Sequence, residues 1–244
     1  MAPTGDLAIT WLGHSTFTLT TPGGKRVLID PWVGGNPSCP EEAKSFDALD
    51  LMLITHAHFD HMGDAVPLAQ AHTPQVVAIF EICQWLEGKG VANCNPMGKS
   101  GTIEVDGLKV TMVEAQHSAG LLDDDDGRLI YGGEPAGLIL GLETGLRVYH
   151  AGDTGVFSDM GLIRELYEPA VVLLPIGDRF TMGPREAAYA CDLLKPKVVI
   201  PMHYGTFPLL TGTPEEFQKL VADKDVEVVV LAPGETHTIS GGTL

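Results

Sequence analysis

The most informative stretch of the sequence is LMLITHAHFDH, residues 51–61. Its first five residues have the character of a buried strand, and the six that follow contain three histidines and one aspartate. Imidazoles and carboxylates lose hydration when they are buried, and imidazoles repel one another when charged, unless a cation holds them together. The stretch therefore predicts a buried strand that presents metal ligands at its carboxyl end.

The composition is that of an ordinary globular protein, and it limits the kinds of partner that the protein can bind. The chain has 244 residues, 44% of them hydrophobic and 19% charged, and this length fits one domain over residues 1–244. Lys and Arg total 15 against 32 Asp and Glu, so the formal net charge is −17. A protein this acidic lacks the basic footprint that binds nucleic acid or an anionic membrane, and we expect neither partner.

The cysteines and the apolar runs bear on the cellular compartment. The four cysteines have no Cys-x-x-Cys spacing, so neither a zinc ribbon nor a disulfide framework is indicated. No apolar run approaches the length of a membrane span, and the first residues lack the pattern of a signal peptide. We therefore expect a cytoplasmic protein with free thiols.

Hydrophobic patterning divides the chain into two β-rich halves, each of which continues into alternating strands and helices. Strands are predicted at residues 7–12, 16–20, 26–30, 51–55, 75–79, 101–105, 108–113, 136–142, 146–150, 170–174, 198–202 and 226–231. Helices are predicted at residues 64–70, 81–88, 158–166 and 184–194, with one more beginning at residue 213. Two such halves predict an α/β protein in which two mixed sheets pack face to face with helices outside.

Seven ligand-type side chains follow apolar strand-like runs, as the first stretch does: His56, His58, Asp60, His61, His117, Asp153 and His203. Strand ends that share one sheet edge, or two abutting edges, can converge on one cleft even when the residues are far apart in sequence. Imidazole and carboxylate suit zinc, iron, manganese or nickel. These residues therefore predict a single metal site. His72, His150 and His237 match no motif, and we expect structural hydrogen bonds from them.

The six-residue motif His-x-His-x-Asp-His at residues 56–61 resembles the hallmark of the metallo-β-lactamase superfamily, and the resemblance spans almost the whole chain. It implies the four-layer αβ/βα sandwich of that superfamily. It also implies a ligand set: His56, His58 and His117 on a first metal, Asp60, His61 and His203 on a second, and Asp153 bridging them. Four further segments resemble uncharacterised bacterial metal-dependent hydrolases related to ascorbate-6-phosphate lactonase: residues 13–15, 131–133, 180–183 and 202–208.

A dinuclear centre of this kind would activate a water and direct it at an ester, a lactone or a phosphoester of a small molecule. We expect two divalent ions, with zinc first and manganese, iron or nickel as alternatives. Asp60 would orient the nucleophile as well as bind metal, and His14 is the candidate for proton transfer or contact with the leaving group. The prediction is a metal-dependent hydrolase, and a homo-oligomer is compatible with it.

Two other functions remain open. A mononuclear iron sulfur dioxygenase can share the same motif, and its mark would be one iron per chain with oxygen uptake on a persulfide. A non-catalytic module with structural metal is the second, although structural zinc is usually closed by four ligands. Di-iron oxygen-reducing members carry glutamate at the position of His58, and antibiotic-hydrolysing members carry cysteine at the position of Asp153, so neither branch fits.

Two loops are candidates for the walls of the site. Residues 118–133, with their run of four aspartates at 123–126, form either a lid over the cleft or a solvated surface loop. Residues 180–183 either line the pocket or connect a strand to a helix, and the resemblance favours the pocket. Only a few cationic side chains are near these motifs, namely Lys25, Arg128, Arg179 and Arg185, which argues against a phosphorylated lactone as substrate.

Overall fold

The computed structural model describes residues 5–122 and 127–244. The first half of the chain contains β1 (Leu7–Trp11), β2 (Phe17–Thr20), β3 (Arg26–Ile29), β4 (Leu51–Leu53), α1 (Phe59–Met62), α2 (Ala65–His72), β5 (Gln75–Ile79), α3 (Phe80–Gly88) and β6 (Cys94–Met97). The strands of the second half are β7 (Thr102–Val105), β8 (Leu108–Glu114), β9 (Gly120–Leu122), β10 (Leu129–Tyr131), β11 (Ala136–Gly141), β12 (Arg147–His150), β13 (Val171–Pro175), β14 (Val198–Met202), β15 (Glu227–Val228) and β16 (Thr236–Ile239). Its helices are α4 (Met160–Tyr167), α5 (Pro184–Leu194) and α6 (Pro214–Leu220). Short 3₁₀ turns lie at Glu41–Ala43 and Ser240–Gly242.

Two seven-stranded mixed sheets form the body of the protein, in the orders β16-β1-β2-β3-β4-β5-β6 and β15-β14-β13-β12-β11-β8-β7. Each sheet begins with antiparallel strands and continues with parallel ones, β3 to β6 in the first and β12 to β15 in the second. The exception to this division by halves is β16, which returns from the end of the chain and pairs antiparallel with β1.

The inner faces of the two sheets pack on each other. Leu7 and Phe17 of the first sheet belong to the same buried cluster as Leu138 and Leu173 of the second. Because successive side chains of a strand point to opposite faces, the neighbours of Leu173 in β13 lie in a separate cluster that includes residues of α4, α5 and α6. Helices α4, α5 and α6 therefore cover the outer face of the second sheet. The predicted α/β sandwich of two mixed sheets is confirmed.

Among strands and α-helices, the predicted elements match the structure within a few residues, with five differences. The short helix α1 inside the histidine-aspartate motif had not been predicted. Strands β6 and β16 had not been predicted, and residues 118–133 contain the hairpin β9–β10 where only a loop had been expected. The strand predicted at 226–231 is reduced to β15, although the amide of Val229 still donates to the carbonyl of Val199. Within the described residues, no helix has the length and apolar character that would carry it across a membrane.

Candidate metal centre

Strand ends from both sheets deliver the residues of the centre. After β4, Ile54 and Thr55 lead to His56, and the short helix α1 that follows carries Asp60 and His61. In the second sheet, β8, β12 and β14 end shortly before the remaining candidates, His117, Asp153 and His203. The parallel register of β3 with β4 and of β12 with β13 and β14 places these ends on one side of the fold.

The structure brings all seven predicted ligands together. Their donor atoms form three groups in which every atom lies within 4.8 Å of the others. The groups are His14, Asp60, His61 and His203; His56, His58 and His117; and His56, His61 and Asp153. Each group can hold a metal ion, and the third shares members with both of the others.

Asp153 lies between the groups. Its Oδ2 is 3.0 Å from Nε2 of His203, 3.3 Å from Nε2 of His61, 3.6 Å from Nε2 of His117 and 4.0 Å from Nε2 of His56. The carboxylate is 3% exposed, so water contributes little to its solvation. Burial would raise the pKa of Asp153, but His203 and His61 outweigh it and hold the pKa well below its usual range. Asp153 is therefore a buried anion surrounded by imidazoles.

Burial and charge act in opposite directions on the histidines. Burial, with His61 beside it, lowers the pKa of His56 well below the usual value. Burial also acts to lower the pKa of His61, but the carboxylates of Asp153 and Asp30 outweigh it and raise that pKa well above the usual value. Without a metal, His61 is therefore the imidazole that carries a proton between two carboxylates, and His56 is neutral.

The donor set fits a divalent metal. Among the residues that the structure describes, His61 Nε2, Asp153 Oδ1 and His203 Nδ1 are buried without a hydrogen-bond partner. Nε2 of His61 is close to Asp153, but the two atoms lack hydrogen-bond geometry. In addition, Nε2 of His56 and Nδ1 of His58 lie 3.0 Å apart. Buried polar atoms are normally paired, and a cation satisfies such unpaired and mutually facing nitrogen and oxygen atoms.

His14 contacts the centre through Asp60. Its Nε2 lies 3.0 Å from Oδ2 of Asp60, its Nδ1 lies 3.0 Å from Oγ1 of Thr206, and its ring centre is 3.9 Å from that of His203. Burial and the neighbouring His203 lower the pKa of His14 to about 4, so its imidazole is neutral near pH 7. Burial would raise the pKa of Asp60, but the hydrogen bond from His14 and the charge of His61 lower it to about 2.

Sequence reasoning missed Asp30, a fully buried residue directly after β3. Its Oδ2 accepts hydrogen bonds from Nδ1 of His61, at 2.7 Å, and from the hydroxyl of Thr55, at 2.8 Å. Since that hydroxyl hydrogen is used on Asp30, the Thr55 oxygen accepts from Nδ1 of His56 at 3.0 Å, which leaves Nε2 of His56 unprotonated. Asp30 thus orients one histidine directly and one through Thr55. The signal was present, since Asp30 also ends an apolar strand.

The other histidines lie outside the centre. Nε2 of His150 donates to the carbonyl of Ser15 at 2.9 Å, and its Nδ1 accepts from the amide of Gly152 at 3.1 Å, so both nitrogens have structural partners. His72 ends α2 with its ring edge toward Phe46, and His237 lies in β16 opposite Ile9.

A cleft of about 530 Å³ opens over the centre. Its lining includes Ser118 and Phe180, one from each of the two candidate wall loops, so residues 180–183 do reach the pocket. Of residues 118–133, the described part forms the hairpin β9–β10, and the four aspartates at 123–126 lie outside the described residues. Three further apolar side chains of the lining follow His203 in the chain: Phe207, Pro208 and Leu209.

Two facing mixed sheets, helices on the outside and a histidine-aspartate cluster at the strand ends define the metallo-β-lactamase type of metal-dependent enzyme. A family model described as "Beta-lactamase superfamily domain" matches residues 25–204. The UPF0173 metal-dependent hydrolase of Koribacter versatilis is 54% identical over 230 residues, which cover 94% of this chain and 97% of that protein. The corresponding protein of Rubrobacter xylanophilus is 52% identical, with 95% and 96% covered.

The chain therefore belongs to the UPF0173 metal-dependent hydrolase family of the β-lactamase superfamily, and it is a metal-dependent hydrolase. Among solved structures, the metallo hydrolase Igni18 of Ignicoccus hospitalis superposes with a TM-score of 0.85 at 38% identity, covering 96% of this chain and 99% of that one. The superfamily resemblance is thus confirmed, whereas the relation to ascorbate-6-phosphate lactonase stays a prediction.

Proposed function

We propose that this hydrolase uses two divalent ions to cleave an ester, lactone or phosphoester bond of a small molecule, and that the preferred metal is zinc. Histidines 56, 58 and 117 would hold one ion, and Asp60, His61 and His203 the other, with Asp153 contacting both. The position of Asp153 carries this proposal, because one carboxylate oxygen lies within 4.0 Å of imidazole nitrogens from both sets.

Divalent ions in this centre would supply Lewis-acid polarisation of the scissile group and would lower the pKa of a bound water. The remaining tasks fall to the protein. The hydrogen bond between His14 and Asp60 keeps the carboxylate ionised and oriented toward the cleft. Neutral His14 donates from Nε2 to Asp60 while its Nδ1 accepts from Thr206, so the imidazole positions the carboxylate that would orient the nucleophile.

The cleft positions the substrate over these groups. The lining combines metal-type side chains, His58, Asp60, His117, Asp153 and His203, with aromatic and aliphatic side chains. Apolar side chains around the cavity would exclude water from the reacting bond and hold the substrate in one orientation. Groups for chemistry and groups for binding therefore line one cavity.

The test is substitution of one residue from the first ligand set and of the shared carboxylate. His58→Ala and Asp153→Ala are expected to lose metal and hydrolytic activity together, measured by elemental analysis and by turnover of ester, lactone and phosphodiester substrates. His237→Ala, in β16 at the sheet edge, is the matched control and should keep both. Full turnover in either purified variant would sink the proposal, and one iron per chain with oxygen uptake on a persulfide would favour a dioxygenase instead.

A further inference from the structure

We propose that the site takes an uncharged carboxylic ester or lactone whose non-reacting part is an aromatic or aliphatic group. This inference rests on the proposed function, since it names the substrate class of the same site. It follows from the apolar part of the cleft lining, which we call the apolar wall.

That wall is apolar and exposed to the cavity. It consists of Phe59, Phe180, Phe207, Pro208 and Leu209. Phe59 is 63% exposed, Phe180 50% and Leu209 49%, so about half of each side chain contacts no protein. Covering this apolar surface with a ligand is favourable in proportion to the area removed from water. The wall therefore selects for an apolar substituent about the size of a phenyl ring or a short alkyl chain.

Two of these rings are held in place before any ligand arrives. The buried indole of Trp32 stacks on the ring of Phe207 at an angle of 29°, with centres 6.0 Å apart, and it is nearly perpendicular to the ring of Phe59, with centres 5.8 Å apart. Phe207 also contacts the ring of His14 at 5.5 Å. The apolar wall is thus fixed relative to the metal-binding residues, and a preformed wall binds without an ordering cost.

Charge excludes an anionic substituent. Among the described residues that line the cleft, none is Lys or Arg. The guanidinium of Arg179 lies over the ring of Phe180, 5.5 Å from its centre, but Arg179 itself is not among the lining residues. With a net charge of −17, the protein also repels anions at long range. A phosphate or carboxylate remote from the reacting bond would lose its hydration without meeting a cationic side chain among the described lining residues.

A pair of esters that differ by one charge tests this inference. 4-Nitrophenyl pentanoate and mono(4-nitrophenyl) glutarate have the same leaving group and the same number of acyl carbons, but only the second carries a terminal carboxylate. For the metal-loaded protein we expect kcat/KM at least roughly tenfold higher with the pentanoate, because the carboxylate meets an apolar, uncompensated wall. Equal values, or a preference for the glutarate, would overturn the inference.

Substitutions in the wall separate binding from chemistry. Phe180→Ala should raise KM for the pentanoate by roughly 3–10-fold with kcat little changed, because it removes binding shared by ground and transition states. Phe180→Lys should reverse the preference toward the glutarate. Tyr189→Ala removes an exposed aromatic ring of α5 that lies outside the cleft and is expected to change neither constant. An unchanged KM in Phe180→Ala contradicts the inference.

Binding of an unreactive probe keeps this test independent of the proposed function. 4-Phenylbutanamide is uncharged and carries a phenyl group, and calorimetric titration into the metal-loaded protein should show weaker binding in Phe180→Ala but not in Tyr189→Ala. If no ester is hydrolysed but the amide binds in this pattern, the proposed function fails and the pocket assignment stands. If esters are hydrolysed but Phe180→Ala changes neither KM nor amide binding, the proposed function stands and the pocket assignment fails.

Discussion

The imidazole of His14 and the carboxylate of Asp60 form a hydrogen-bonded pair between a buried shell and the cleft. His14 is fully buried, whereas Asp60 is 15% exposed and lines the cavity. Both ring nitrogens of His14 have partners, since Nε2 donates to Asp60 and Nδ1 accepts from Thr206. Proton transfer or leaving-group contact by His14 itself stays a prediction, whereas its hydrogen bond orients the Asp60 carboxylate that lines the cleft.

Removal of the His14 side chain should therefore impair turnover more than metal binding. We expect His14→Ala to lower kcat by roughly 10²–10⁴-fold, the usual contribution of a positioned acid or base, while the metal content stays at the wild-type level. Thr206→Val, which removes the bond to Nδ1 and the longer contact of the same hydroxyl with the Tyr204 carbonyl, should lower kcat by less, and circular dichroism checks the fold of both variants. Because Nε2 lies among the donors of Asp60, His61 and His203, loss of one ion in His14→Ala would instead make His14 a ligand.

Asp30 helps to keep a proton on His61, so substitution of Asp30 should change the number of protons that the protein releases when it binds metal. In the metal-free protein the pKa of His61 is raised well above the usual value, and at pH 7 the ring is protonated. A ligand must be deprotonated, so metal uptake at pH 7 should release about one proton from this residue. In Asp30→Asn one of the two flanking charges is gone, the pKa of His61 falls, and fewer protons should be released in weakly buffered solution.

The same variant should bind metal more weakly, by roughly 10–100-fold, because the carboxylate that accepts from both His61 and Thr55 is replaced by a neutral amide with one acceptor oxygen instead of two. Asp47→Asn is the matched control, since the Asp47 side chain is 98% exposed and pairs only loosely with Arg26. Unchanged metal affinity together with unchanged proton release in Asp30→Asn would show that Asp30 has no influence on the centre.

At the residue scale, the sequence predicted which side chains belong to the site better than it predicted which of them contact one another. All seven metal-type residues could be picked out, because polar groups directly after buried strands have no packing role that explains them. Asp30 satisfies the same criterion but stands alone in sequence, without neighbouring histidines, and only the folded register of β3 beside β4 shows its partners. Distances among Asp153 and four histidines depend on how four separate segments meet, after β4, β8, β12 and β14, and local sequence does not encode this.

The chain turns sharply at several strand ends, as the φ angles of three residues show. His14, Asp30 and His203 adopt positive φ angles of 57°, 51° and 58°, which is uncommon for residues with a side chain. Each follows or precedes a strand of the core and reverses the chain toward the centre. The amide of His203 donates to the carbonyl of His14 at 2.9 Å, so two of these turns support each other. Local strain of this kind persists where the surrounding structure holds the residue in place.

The turn after β13 leaves no room for a side chain next to His203. A Cβ on Gly177 would lie 1.9 Å from the carbonyl oxygen of His203. We therefore expect Gly177→Ala to displace His203, to lower the metal content, and to destabilise the protein by about 1–3 kcal/mol, as overpacking does. Gly161→Ala is the control: this glycine lies in α4 with nothing within 4 Å of an added Cβ, and alanine there should stabilise by about 0.5–1 kcal/mol. Wild-type metal content and thermal midpoint in Gly177→Ala would contradict this account of the turn.

At the element scale, long periodic segments were predictable and short ones were not. Helix α5 was predicted with the observed bounds, because it begins with Pro184 and buries a regular apolar face. Strands β9 and β10 have three residues each, too few to show a period of two. Their hairpin is held instead by close packing, since a Cβ on Gly132 would lie 2.3 Å from the Ala57 methyl and from the Ala119 carbonyl. Strand β6 was hidden by Pro96, which a strand at the sheet edge tolerates.

At the scale of the whole molecule, the metal centre joins the two sheets. Histidines 56 and 61 follow strands of the first sheet, and His117, Asp153 and His203 follow strands of the second. The packing of both inner faces into one core supports the prediction that residues 1–244 form a single domain, and that prediction remains to be tested. The division into two sheets was predictable from the repeated order of elements, whereas the return of β16 to pair with β1 was not, because pairing across the full chain leaves no local signal.

Because its ligands come from both sheets, metal removal should destabilise the whole protein rather than one loop. One ion that binds only the folded state adds about 2.7 kcal/mol at a hundredfold excess over Kd, so two ions add about 5 kcal/mol, which for a chain of this size corresponds to a rise in Tm of roughly 10–20 °C. Chelation should therefore lower Tm by that amount in calorimetry, with a single transition retained, and added zinc should restore it. Asp153→Ala is expected to melt at one temperature with or without chelator, because it no longer retains metal. If the chelator removes the metal from the wild-type protein and the Tm does not change, the centre does not link the sheets.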